Sequence, residues 1–219
     1  MTAHSNAEVI AGFEVTISDT EKAVVMAARN VRMYFGQKGD VAVLRVYANL
    51  QFFIAQVNLA IRVSLRSLMV DPFTRITAEK YLALALIEAE RGVGILLNQL
   101  QTEANKQHGR LEGFLELKTF QAARDAIEAR LKPMRGDKAF NTDLTLIRNE
   151  VVAHFVSKES GVENSAQWPL SRDALPKGES AVLNSKIIEY AIALSLGLRE
   201  LSQGMTEACA EWMKTNLKS

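Results

Sequence analysis

From Val41 to Val70, apolar residues return every three to four positions, among them Leu44, Leu50, Phe53, Val57, Ile61, Leu65 and Leu68. A helix turns about 100° per residue, so this spacing gathers them on one stripe. Asp71-Pro72 ends the run, because a residue before proline is pushed out of the α region. The chain therefore predicts a helix close to thirty residues long. Its stripe must be buried against other helices.

The remaining segments supply them. Ser18-Asp19-Thr20-Glu21 fits a capping box, a Ser with a Glu three residues later, and predicts a helix from there to about Phe35. Gly36 and Gly39 punctuate its end. Residues 1–17 read as a loose leader and 18–219 as a single helical domain. Thr77 can cap a third helix reaching about Gln107, where Gly92 and Gly94 predict a kink or a close helix contact. It ends in Lys106-Gln107-His108-Gly109, cations followed by Gly, which gives His108 a structural explanation. A shorter helix spans about Leu115 to Leu131, ended near Pro133 and Gly136. Another runs from about Asn141 to Val156, with Asn141 or Thr142 as cap. The polar stretch 157–179 reads as a long loop, pinned at Trp168-Pro169-Leu170. A last helix runs from about Ser180 to Asn216. With only 4 prolines and many good helix formers, the expectation is an all-α, elongated antiparallel bundle of five to six helices.

Several function classes find no support. The longest uncharged apolar-leaning stretch, Val46 to Ile61, is too short to span a bilayer and carries Asn49, Gln51, Gln56 and Asn58, so no membrane partner is expected. The start of the chain has no basic segment followed by an apolar run. Cys209 is the single cysteine, which leaves no disulfide framework and suggests a reducing, cytoplasmic setting. His4, His108 and His154 are scattered, no metal-ligand spacing occurs, and no glycine-rich phosphate loop is present, so neither a metal nor a cofactor is expected.

The net charge of +1 conceals a bias. Residues 29–75 hold seven basic side chains, including Arg45, Arg62 and Arg66, against Asp40 and Asp71 alone. A basic lobe can attract phosphates, and Arg62 and Arg66 share a helix face at i and i+4; a solvated helix face is the plain alternative.

One further segment is chemically odd. In Arg148-Asn149-Glu150-Val151-Val152-Ala153-His154, Arg148 falls within an apolar stripe formed by Leu144, Ile147, Val151 and Phe155, and His154 lies at its edge. A charge on a buried face requires a partner or a task. Taken alone, a buried Arg148 paired to a Glu on a neighbouring helix and a half-buried His154 would account for both.

The segment LIRNEVVAHF resembles the Arg-x(4–6)-His signature of the HEPN superfamily, in which Asn, Asp or His commonly follows the Arg. The layout is similar to the AbiU-like abortive-infection branch, with long helices, a second helix ending at an Asp (LRSLMVDP) and the motif late in the chain. It departs where that branch tends to show Arg-Leu two residues before the Asp, since Leu68-Met69-Val70 precedes Asp71 here. The resemblance implies a metal-independent endoribonuclease acting as a homodimer, a toxin or phage-defence protein under an antitoxin or other regulatory partner. Its alternative is a non-catalytic helical module that binds RNA or protein. In the first case His154 would serve as general base or acid, Arg148 would hold the scissile phosphate, and Asn149 would orient either. Six residues separate the Arg and His α-carbons by roughly 9 Å along the axis and about 120° around it, so a site completed across a two-fold suits them better than one helix.

Overall fold

The computed structural model describes residues 6–37, 41–70, 75–106, 111–146 and 179–216. Every regular element among them is helical: α1 (Asn6–Tyr34), α2 (Ala42–Val70), α3 (Arg75–Asn105), α4 (Leu117–Gly136), α5 (Lys138–Leu146) and α6 (Glu179–Asn216). The protein is an all-α helical bundle, as the periodicity predicts.

Helix α2 lies at its centre and packs against α1, α3 and α6. Leu50, Ile54, Val57 and Ile61 of its stripe are buried, together with Leu82, Leu86, Val93 and Leu97 of α3 and Leu194, Leu198 and Leu201 of α6. Among the described helices, α2 is the one long and apolar enough to cross a membrane by length and composition. About a third (33%) of that apolar stretch is buried within the bundle, where α2 packs on α1, α3 and α6.

Helices α1 and α2, α2 and α6, and α4 and α6 pair antiparallel, and their contacts show the register. Arg62 Nη1 donates to the Thr16 carbonyl of α1 at 3.1 Å, and Arg66 Nη2 to Glu14 Oε1 at 2.6 Å. Ser195 Oγ of α6 donates to Asn58 Oδ1 at 2.8 Å, and further along α6 Ser202 Oγ donates to Gln51 Oε1 at 3.1 Å. Between α4 and α6, Arg130 Nε donates to Glu200 Oε2 at 2.7 Å. At one end, Phe114 takes an edge-on ring from Tyr47 (centroids 5.6 Å apart) and another from Trp212 (5.3 Å).

Gly92 makes a close contact: a Cβ there would lie 2.3 Å from Cζ of Phe53, so α2 and α3 approach where the sequence offers no side chain. Gly94 faces open space. Gly36, at φ 73°, closes the turn after α1, a conformation that costs glycine nothing.

Three expectations are corrected. Residues 6–17 are not a loose leader, because α1 begins at Asn6. Ile10, Phe13 and Ile17 extend its inner stripe onto α2, and the Arg62 and Arg66 bonds fasten it there. Ser18 and Glu21 consequently lie inside the helix. A capping box is worth about 1 kcal/mol, less than several turns of tertiary packing. The cap of α5 is Asp137, whose Oδ1 accepts from Phe140 N at 3.1 Å, and neither Asn141 nor Thr142. Asn141 instead donates back to the Met134 and Arg135 carbonyls at 3.0 and 3.2 Å. Helix α4 runs through Pro133 to Gly136 and not only to Leu131, held by buried Met134 and by Arg135, which pairs with Glu90 and Glu128.

Candidate functional site

A polar groove of about 430 Å³ opens where α1, α2 and α6 meet. Its α2 wall presents Gln51, Asn58 and Arg62, spaced one to two turns apart on the helix face left uncovered by α3. Its α6 wall presents Arg199, Ser202 and Thr206, and α1 closes the side with Asp19 and Thr20. The polar floor is organised from within. Asn58, 8% exposed, accepts from Ser195, and Gln51 accepts from Ser202 while donating to Tyr47 Oη at 3.3 Å. Thr20 Oγ1 returns to its own helix, donating to the Thr16 carbonyl at 2.6 Å.

Two guanidinium groups face this groove. Burial lowers the pKa of Arg62 from its usual value, and the like charge of Arg199 lowers it further. An arginine keeps its proton under both effects, so the groove holds two cations whose mutual repulsion an anion would relieve. Asp19 is the acidic residue among the groove's lining, and its Oδ1 accepts from Lys22 Nζ at 3.1 Å outside. The hydroxyls of Thr20, Ser202 and Thr206 already donate within the protein, so the groups that suit a phosphate here are the two planar guanidinium forks.

The three arginines singled out in the sequence separate in space. Arg62 lines the groove. Arg66, one turn on, is engaged with Glu14. Arg45 lies 17 residues before Arg62, roughly 25 Å along α2, and donates to the Gln37 carbonyl at 3.0 Å. Arg199 carries no signal in the sequence. It is 137 residues beyond Arg62, and only the α2–α6 packing brings it to the same groove.

Arg148, Asn149 and His154 lie outside the described residues, as do His4, His108 and the stretch 157–178. Among the described residues, no three His, Cys, Asp or Glu side chains gather in a way that could hold a metal. Cys209 is buried, and its thiol is pushed up to about 12 by that burial.

A second groove, of about 560 Å³ between α1, α2 and α3, is of a different kind. Val24, Phe53, Val63, Tyr81 and Leu84 line it, without a cation.

No protein-family model, curated protein or solved structure matches the chain.

Proposed function

We propose that this chain is a HEPN-like helical protein that acts on RNA, holding the phosphodiester backbone in the α1–α2–α6 groove and cutting it without a metal at a homodimeric Arg148–His154 site. The observation that carries the binding element is the Arg62–Arg199 pair, two cations in one polar groove with no carboxylate among its lining free of a cationic partner. RNA presents one anion per nucleotide and hydroxyls between, which matches guanidinium forks above hydroxyl and amide groups. The cleavage element rests on the sequence LIRNEVVAHF: imidazole titrates near neutrality, and a guanidinium stabilises charge on a phosphate in attack by the 2′-hydroxyl. Proton transfer from the 2′-oxygen and to the departing 5′-oxygen leaves a 2′,3′-cyclic phosphate. A setting in phage defence or as a toxin, under an antitoxin or other regulator, is part of the same proposal.

A second reading, RNA binding without cleavage, is favoured by the groove itself. Its lining holds neither a histidine nor a cysteine, so it offers a binding surface without a general acid, base or thiol nucleophile of those types.

One assay separates these readings. Purified protein is incubated with RNA in chelator, comparing wild type with His154→Ala, while retention of the same RNA on a filter reports binding. Cleavage by wild type alone supports the nuclease, and binding without cleavage supports the second reading. Equal cleavage by both proteins overturns the role of His154. Absence of binding overturns the groove's assignment.

A further inference from the structure

Most neutral donors lining the α1–α2–α6 groove are spent within the protein. Thr20, Ser202 and Thr206 donate to the Thr16 carbonyl, Gln51 Oε1 and the Ser202 carbonyl. Of the three carboxamides in the lining, Gln51 turns its Nε2 to Tyr47 Oη and Gln203 turns its own to Glu207. Asn58 differs. Its Oδ1 accepts from Ser195 Oγ at 2.8 Å, and Ser195 itself stands outside the lining. Among the described residues Asn58 Nδ2 meets no acceptor, yet that atom is not sealed from solvent. An amide held by its oxygen on one side presents its N–H groups on the other. A side chain only 8% exposed therefore aims two neutral donors into the groove.

The neighbours of that amide indicate what it meets. Arg62 is one helical turn on, its Cβ roughly 5–6 Å from that of Asn58. A guanidinium binds a phosphate oxygen more strongly than a neutral amide does, so phosphates go to Arg62 and Arg199. The amide is left for an uncharged acceptor close by. Among the described residues no aromatic ring lines the groove to stack a base, so the groove receives the sugar–phosphate edge of a strand. In ribose the 2′-hydroxyl stands on the carbon beside the one that bears the 3′-phosphate, within reach of a group one turn from Arg62. That hydroxyl also donates. The oxygens of Ser202 and Thr206, whose hydrogens point into the protein, keep lone pairs to accept it. Deoxyribose has no such group.

We infer that Asn58 is the residue by which the groove tells RNA from DNA. Its Nδ2 donates to a ribose 2′-hydroxyl while Arg62 holds the 3′-phosphate of the same nucleotide. Ser195 is the positioning residue that takes the amide oxygen and turns the N–H groups outward. The 2′-hydroxyl, donor and acceptor at once, is the group that separates the two nucleic acids at a given site. The inference rests on the reading that RNA lies in this groove and is independent of cleavage at Arg148 and His154.

Fluorescence anisotropy with short oligo(A) and oligo(dA) of equal length, which share their base, tests it. Each chain also carries His154→Ala so that the RNA stays whole, and melting followed by circular dichroism reports folding. The parent chain should bind oligo(A) about fivefold tighter than oligo(dA), the size of one neutral hydrogen bond. Asn58→Leu keeps the branched shape and removes the donors, so affinity for oligo(dA) should hold while the preference for oligo(A) disappears. Ser195→Ala leaves Asn58 in place but frees its amide to turn, and should narrow the preference at unchanged affinity for oligo(dA). A variant that melts as the parent does and keeps the full preference for RNA overturns the Asn58 assignment. Equal loss of both oligonucleotides by such a variant puts the amide on a phosphate and overturns it too. A parent that binds both equally overturns it but leaves the groove reading standing, whereas one that binds neither overturns both.

Discussion

Gly204 of α6 faces Ala123 of α4 so closely that a Cβ on Gly204 would lie 2.5 Å from the Cβ of Ala123. That methyl is fixed to the α4 backbone and cannot rotate away. Gly204→Ala should therefore force the helices apart and destabilise the fold by about 1–3 kcal/mol, even though alanine is the better helix former. Urea denaturation followed by circular dichroism measures it. Adding Ala123→Gly should recover most of the loss. Gly92→Ala meets the far end of the Phe53 ring, which is only half-buried and can swing, so its cost should be the smaller of the two.

The groove arginines differ in what they are free to do. Arg62→Ala and Arg199→Ala should each weaken RNA binding and make it less sensitive to salt. The slope of log affinity against log salt should fall by about 0.7 for each single-strand phosphate that is no longer neutralised. Arg66→Ala should leave both nearly unchanged, since its guanidinium is engaged with Glu14. Its effect on stability should stay under about 1 kcal/mol, as for other part-exposed ion pairs. Filter binding over a salt series separates the three.

Asp137 links the α4–α5 junction to α6. Its Oδ2 accepts from Lys186 Nζ at 2.5 Å and from Tyr190 Oη at 3.1 Å, while Oδ1 caps α5. The Lys186 bond, above all, holds the Asp137 carboxyl below its ordinary value, and the same bond raises Lys186. A depressed carboxylate contributes stability above its unfolded pKa and loses it as pH falls through the folded one. A raised lysine contributes below its unfolded pKa and loses it as pH climbs through the folded one. Asp137→Asn, which keeps a capping oxygen, should therefore lower the melting temperature at neutral pH. That difference should shrink in acid below the ordinary aspartate range and again in alkali above the ordinary lysine range. Calorimetry across pH checks both limbs.

Cys209 should be inert in the folded protein. With its thiol pushed up to about 12 and no exposed surface, it should react with a thiol reagent only on unfolding, and then fully. The labelling rate with and without denaturant measures this.

What the sequence determined by itself was local. The stripe from Val41 to Val70 became α2 (Ala42–Val70), and the last helix, expected from Ser180, became α6 (Glu179–Asn216), because apolar periodicity and chain breakers act within a few residues. It also marked Arg62, through the run of basic residues around it. Tertiary structure decided the rest. Residues 6–17 are helical because α2 offers them a surface, which overrode the capping signal at Ser18 and Glu21. Asp137 replaced Asn141 as a cap because Lys186 and Tyr190 of α6 hold it in place. Arg199 joined Arg62 only through the packing of α6 on α2, where Ser195 meets Asn58 and Ser202 meets Gln51. Caps and stripes are set by neighbours in the chain, whereas a groove is set by helices distant in sequence, whose register depends on every side chain packed between them.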